Sequence, residues 1–178
     1  MKFNFESGRR GLNRHLIVLI GLCLAGALGT TPVLAHPVGD ATQATEVKPW
    51  DENTWEQVRQ KGPRPAAYLF TTSYCSTCVE AFDALHSRAE KALAANRPAP
   101  WLAVVMMDVQ GVKAQHHAGH FHGMHALYAF DGYEPAVRAS VDPSWPDVTP
   151  YIVLVDRRGK VQKILGQPRA QNLNDWLR

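Results

Sequence analysis

Two cysteines in the arrangement Cys75-Ser76-Thr77-Cys78 follow an apolar run, Ala66-Ala67-Tyr68-Leu69-Phe70, and open a stretch with helical spacing. A CxxC pair suits either half of a zinc site or an exchanging dithiol. A four-cysteine zinc site needs a second pair, and the one other cysteine, Cys23, falls in a segment expected to be removed. The thiolate is the nucleophile in disulfide exchange, and a helix N-terminus stabilises that charge with free backbone N–H groups. Cys75 is therefore assigned as nucleophile. Cys78, one turn along, is the resolving thiol that attacks the mixed disulfide. The competing reading is two buried cysteines used as small hydrophobes.

A second group of chemically active side chains lies further on. His116, His117, His120, His122 and His125, with Met124, crowd into ten residues after the central apolar segment. Imidazoles suit copper, zinc or nickel, and a thioether favours cuprous ion. His116 or His117 with His120 could chelate from one helical face, although Gly119 and Gly123 argue against an ordered helix there. A solvated polar loop accounts for the same residues, so both readings stay open.

The elements that must position these groups begin after a leader. Lys2, Arg9, Arg10 and Arg14 precede the apolar stretch Leu16 to Leu28, and Val33-Leu34-Ala35 offers small residues for cleavage, so residues 1 to 35 read as an export signal. Retention as a membrane anchor is the alternative. The leader holds four of the 19 Lys and Arg and one of the 16 Asp and Glu, leaving fifteen of each. The remainder is formally neutral and has no basic run, which argues against nucleic acid as a partner. In an oxidising compartment a lone cysteine pair is a structural staple or a working couple. A loop this short would stabilise little as a staple, which favours the working couple.

Residues 36 to 49 lack hydrophobic periodicity and read as a flexible lead to a single domain over 50 to 178. Asp51-Glu52-Asn53 starts a short helix that ends before Gly62-Pro63. Pro65 to Phe70 is a strand, Ser76 to about Ala95 a long amphipathic helix, and Trp101 to Met107 a strand buried on both faces. Leu127 to Phe130 is a further short strand and Pro135 to Val141 a helical turn or two. Tyr151 to Val155 is an inner strand, Asp156-Arg157-Arg158-Gly159 a turn, Lys160 to Leu165 a hairpin strand, and Asn172 to Leu177 a terminal helix. The expected class is α/β, a central mixed β-sheet flanked by helices.

Taken together, Tyr74-Cys75-Ser76-Thr77-Cys78, the Thr149-Pro150 dipeptide ahead of a strand and the turn after that strand resemble the thioredoxin-like superfamily. The leader, the Asp142 to Pro150 stretch and the inserted Leu127 to Val141 strand and helix are most similar to the TlpA/ResA-type envelope thioredoxins. The resemblance covers roughly Pro65 to the C-terminus. It implies a thioredoxin fold with the histidine-rich loop inserted, and a monomeric exported thiol:disulfide oxidoreductase that reduces envelope protein disulfides and is recharged by a membrane thiol donor. No cofactor beyond the Cys75–Cys78 redox disulfide is implied. It also implies a cis Thr149-Pro150 bond, with Thr149 and Pro150 forming a ledge for extended substrate. Tyr74 and Trp145 are candidates for the walls of that groove, or core aromatics.

Departures from the family pattern are equally specific. Tyr74 stands where Trp is frequent, and Ser76-Thr77 lacks the usual proline. Leu69 occupies the position of the acid that many thioredoxins bury beneath the second cysteine. Ala81 replaces the Glu common in envelope relatives, leaving Glu80 as a base or a solvated side chain, and Asp83 replaces the helix-kinking proline. The alternative function is an envelope copper-binding or copper-delivery module using the CxxC and the histidines. Sco-type copper proteins space their cysteines one residue wider than this chain does.

Overall fold

The computed structural model describes residues 46–178; the leader and most of the expected flexible lead lie outside the described residues. Six strands form one sheet in the order β1-β4-β3-β2-β5-β6. Four of them, β1 (Val47–Trp50), β4 (Ala126–Phe130), β3 (Trp101–Met106) and β2 (Ala66–Thr71), run parallel. β5 (Tyr151–Val155) is antiparallel to β2, and β6 (Val161–Leu165) antiparallel to β5.

Alternation along the inner strands divides the core between the two faces of this sheet, since successive side chains point to opposite sides. Leu69, Val104 and Ile152 meet Cys78, Phe82 and Leu85 of α2 (Cys78–Ala94), Ala114 and Ala118 of α3 (Gly111–Ala118), and Leu173 and Trp176 of α5 (Ala170–Trp176). Phe70, Val105 and Tyr151 meet Trp55 of α1 (Thr54–Lys61) and Val137 and Val141 of α4 (Glu134–Val141) on the other face. Both faces are covered, so the near-continuous apolar strands β2, β3 and β5 are those of a sheet buried between two helical layers.

Three expectations change. The domain starts before Trp50: Val47–Trp50 pair in register with Leu127–Phe130, so 47 to 49 are strand and not flexible lead. Trp50 anchors that edge, fully buried with rings of Tyr68, Phe70 and Tyr128 set edge-on around it. His116 and His117 lie on an ordered helix, because Gly119 caps α3 rather than interrupting it. Gly111, at a φ of +52°, turns the chain into α3 where a side chain would be strained. Finally, α2 starts at Cys78 and not at Ser76.

Candidate active site

β2 ends at Thr71, and the chain crosses Thr72, Ser73 and Tyr74 to reach the cysteines. The Ser73 backbone N–H donates to the Asp108 carboxylate at 2.9 and 3.1 Å, and its hydroxyl donates to the same group at 2.6 Å. Asp108 lies just beyond the end of β3, so the neighbouring strand holds the loop that delivers Cys75. The Cys75 N–H donates to the Thr72 carbonyl at 3.2 Å, and the Cys78 N–H to the Cys75 carbonyl at 3.3 Å. Cys75 therefore sits in the turn before α2, with Cys78 as the first helical residue.

The two cysteines form a disulfide with their Cα atoms 5.5 Å apart. They differ in access: Cys75 is half-buried, and Cys78 has no exposed surface. Thr77 Oγ1 lies 4.0 Å from Cys75 Sγ. Leu69, fully buried, belongs to the same apolar cluster as Cys78, while Glu80 and Asp83 are on the exposed side of α2. The apolar ground beneath the second cysteine, expected from Leu69, is thus present in the fold.

Register brings Thr149 and Pro150 to the same end of the sheet. Tyr151 pairs with Phe70, so Pro150 stands where β2 gives way to the cysteine loop. The Thr149–Pro150 peptide bond is cis. The Pro150 carbonyl accepts the Gly166 N–H at 2.8 Å, and the next residue, Gln167, donates its carboxamide to the Thr77 carbonyl at 2.9 Å. Gly166 and Gln167 therefore tie the proline loop to the start of α2. Pro150 is buried and Thr149 half-buried.

The 142–150 loop is held from the far face of the sheet. Asp142 accepts from Ser144 N–H and Oγ at 3.0 and 2.8 Å and from the Tyr151 hydroxyl, and it pairs with Lys163 at 3.2 Å. Burial acts to raise its carboxyl, but the hydrogen bonds from Tyr151, Ser144 and Lys163 outweigh it and hold Asp142 well below the usual carboxylate range. Burial and then Asp142 itself push the Tyr151 phenol well above its ordinary value. Arg138 pairs with both Glu134 and Asp147.

Of the two aromatic candidates only Tyr74, 79% exposed, is open at the dithiol end. Trp145 is a correction. It is buried, stacks on Tyr151 with ring centroids 4.1 Å apart and meets Phe70 edge-on. Phe70 and Tyr151 point away from the α2 face, so alternation puts Trp145 in the opposite layer, where its indole N–H donates to the Val148 carbonyl at 3.0 Å. It supports the ledge from behind and does not wall a groove.

The histidines lie elsewhere. His125 Nδ1 accepts the Leu102 N–H at 3.1 Å and its ring tilts over Trp101, at the start of β3. β3 starts beside Ala66 and ends beside Thr71, so His125 is at the other end of the sheet from Cys75. His116 and His117 meet edge-on with centroids 5.5 Å apart, and His120 and His122 are exposed. Among the described residues no three His, Cys, Asp or Glu side chains are grouped to hold a metal ion. The copper or zinc expectation therefore has no ligand set there, and the CxxC and His125 are not brought together.

The residues missed by sequence reading are Ser73, Asp108 and Gln167. Asp108 carried a faint signal, an acid closing a wholly apolar strand. Gln167 carried none, because its bond spans 90 residues.

No family model and no curated protein matches the sequence. Among solved structures, a thioredoxin-related protein from Neisseria meningitidis serogroup B is 18% identical, with a TM-score of 0.47, over 73% of this chain and 94% of that one. A thiol:disulfide interchange protein DsbE from Chlorobium tepidum is 21% identical, with a TM-score of 0.45, over 64% and 77%. StoA from Bacillus subtilis is 16% identical, with a TM-score of 0.41, over 64% and 81%. The strand order and directions, with the cysteine turn between β2 and α2 and the cis proline ahead of β5, are those of a thioredoxin fold carrying an additional β4–α4 unit.

Proposed function

We propose that the protein is a thiol:disulfide oxidoreductase of the cell envelope that reduces disulfides in other proteins through Cys75 and Cys78. The observation that carries this reading is the asymmetry of the pair, a partly exposed Cys75 bonded to a fully buried Cys78 at the loop leading into a helix. In the reduced protein the Cys75 thiolate attacks one sulfur of a partner disulfide. A mixed disulfide forms, and the partner's other sulfur leaves as thiolate and takes up a proton. Cys78 then loses its proton and attacks Cys75 Sγ, the second partner sulfur leaves as thiolate and is protonated, and the Cys75–Cys78 disulfide remains. Two electrons have passed to the partner, and a dithiol donor at the membrane must return them.

Only Cys75 is open to a partner, which supports it as nucleophile and Cys78 as the resolving thiol. Thr149 and Pro150, at the same end of the sheet, supply the ledge for an extended segment of substrate, with Tyr74 beside them. The protein acts as a monomer, and the export leader delivers it to the envelope. Insulin reduction by the reduced full chain tests the reading: Cys75→Ser should abolish it, and Cys78→Ser should accumulate the mixed disulfide. Undiminished turnover in Cys75→Ser overturns the mechanism.

A further inference from the structure

We infer that the end of the domain opposite the dithiol docks on an anionic phospholipid surface, holding Cys75 away from the membrane. The charges of this formally neutral domain are sorted along the strand axis. β5 runs antiparallel to β2, with Val155 beside Ala66, so the 156–160 turn lies at the end where β2 and β3 begin. Arg157, Arg158 and Lys160 of that turn share a hollow with Arg178, which in turn lines a second hollow with Arg88, Lys91 and Arg97. All but the half-buried Arg88 are exposed. Among the described residues Arg178 pairs with Asp175 at 3.1 Å, and the other six form no ion pair.

The opposite end carries the other sign. Asp51, Asp108 and Asp131 follow the C-terminal ends of β1, β3 and β4, and Glu80 lies in the first turn of α2. An anionic surface would therefore orient the domain as well as attract it, since one end is drawn in and the dithiol end is repelled.

A phospholipid surface is favoured over an acidic protein by where the chain joins the domain. β1 is parallel to β4, β3 and β2, so Val47 is at the basic end, and the apolar stretch Leu16 to Leu28 lies upstream of that end. The six-stranded sheet is about 24 Å across at roughly 4.8 Å per strand. The eighteen residues between Leu28 and Val47 span up to about 60 Å when extended. One membrane plane can therefore hold the apolar stretch and meet the basic end together. A basic patch with an apolar segment is the two-part arrangement that makes membrane association stable.

The test is sedimentation of the full chain with phosphatidylcholine vesicles, with and without phosphatidylglycerol. Two triple variants are compared with wild type, Arg88→Gln/Lys91→Gln/Arg97→Gln and Arg157→Gln/Arg158→Gln/Lys160→Gln. Anionic vesicles should bind wild type on the order of tenfold more tightly than either variant, and the advantage should vanish in high salt. Uncharged vesicles should bind all three equally. Insulin reduction in solution should be unchanged in both variants, and Cys75 of vesicle-bound protein should still react with a large, water-soluble thiol reagent once reduced. Equal binding of wild type and both variants to anionic vesicles overturns the proposal. So does retention on immobilised polyglutamate with no preference for anionic vesicles, which would assign the end to an acidic protein.

Discussion

Asp108 holds the Cys75 loop through three contacts to one exposed serine, an arrangement worth little to folding and much to placement. An exposed hydrogen-bonded carboxylate adds at most about 1 kcal/mol to stability. A displaced nucleophile loses rate steeply, so Asp108→Ala should lower insulin reduction on the order of tenfold while the urea midpoint hardly moves. Steady-state turnover and urea denaturation measured side by side check this. Leu69 makes the complementary point. Buried with Cys78, it offers no proton acceptor, so the resolving thiol must lose its proton to solvent or to the leaving partner thiolate.

The 142–150 segment is positioned by an element interaction that crosses the sheet. Asp142, whose side chain is only 12% exposed, gathers donors from its own loop, from β5 and from β6. Removing its charge leaves those donors poorly matched, so Asp142→Asn should cost about 1–3 kcal/mol at neutral pH and loosen the ledge. The pH dependence has a fixed sign. The folded carboxyl is held below its unfolded value of about 3.9, so its contribution is complete above that value and is lost as pH falls toward the folded one. Urea midpoints of wild type and Asp142→Asn should differ above about pH 4 and converge below it. A gap that persists undiminished in acid would place the effect in packing. The helix α3 shows a different element-scale outcome: Ala114 and Ala118 bury its inner face, which fixes the histidine-bearing turn against the sheet and not beside the cysteines.

Across the whole molecule, electron flow depends on how strongly this environment favours thiolate over disulfide. As a reductant, the Cys75–Cys78 couple should equilibrate with glutathione near −270 mV, the thioredoxin range; a value near −120 mV would make it an oxidant. Much of the scaffold behind that couple was legible beforehand. The apolar runs at β2, β3 and β5 announced buried strands because both their faces are covered, and the cysteines after β2 announced the dithiol turn. Val47–Trp50 escaped notice because an edge strand of four residues has too short a pattern, and it owes its order to pairing with β4. By itself the sequence determined local matters: which segments form strands and helices, and that two thiols meet at a strand-to-helix turn. Tertiary structure alone decided that Cys75 is reachable and Cys78 is not, that Trp145 packs behind the ledge, that Gln167 and Asp108 brace the site, and that the histidines and unpaired cations gather at the other end. Strand direction and the face of a side chain follow from pairing and burial between distant segments, which no local spacing encodes.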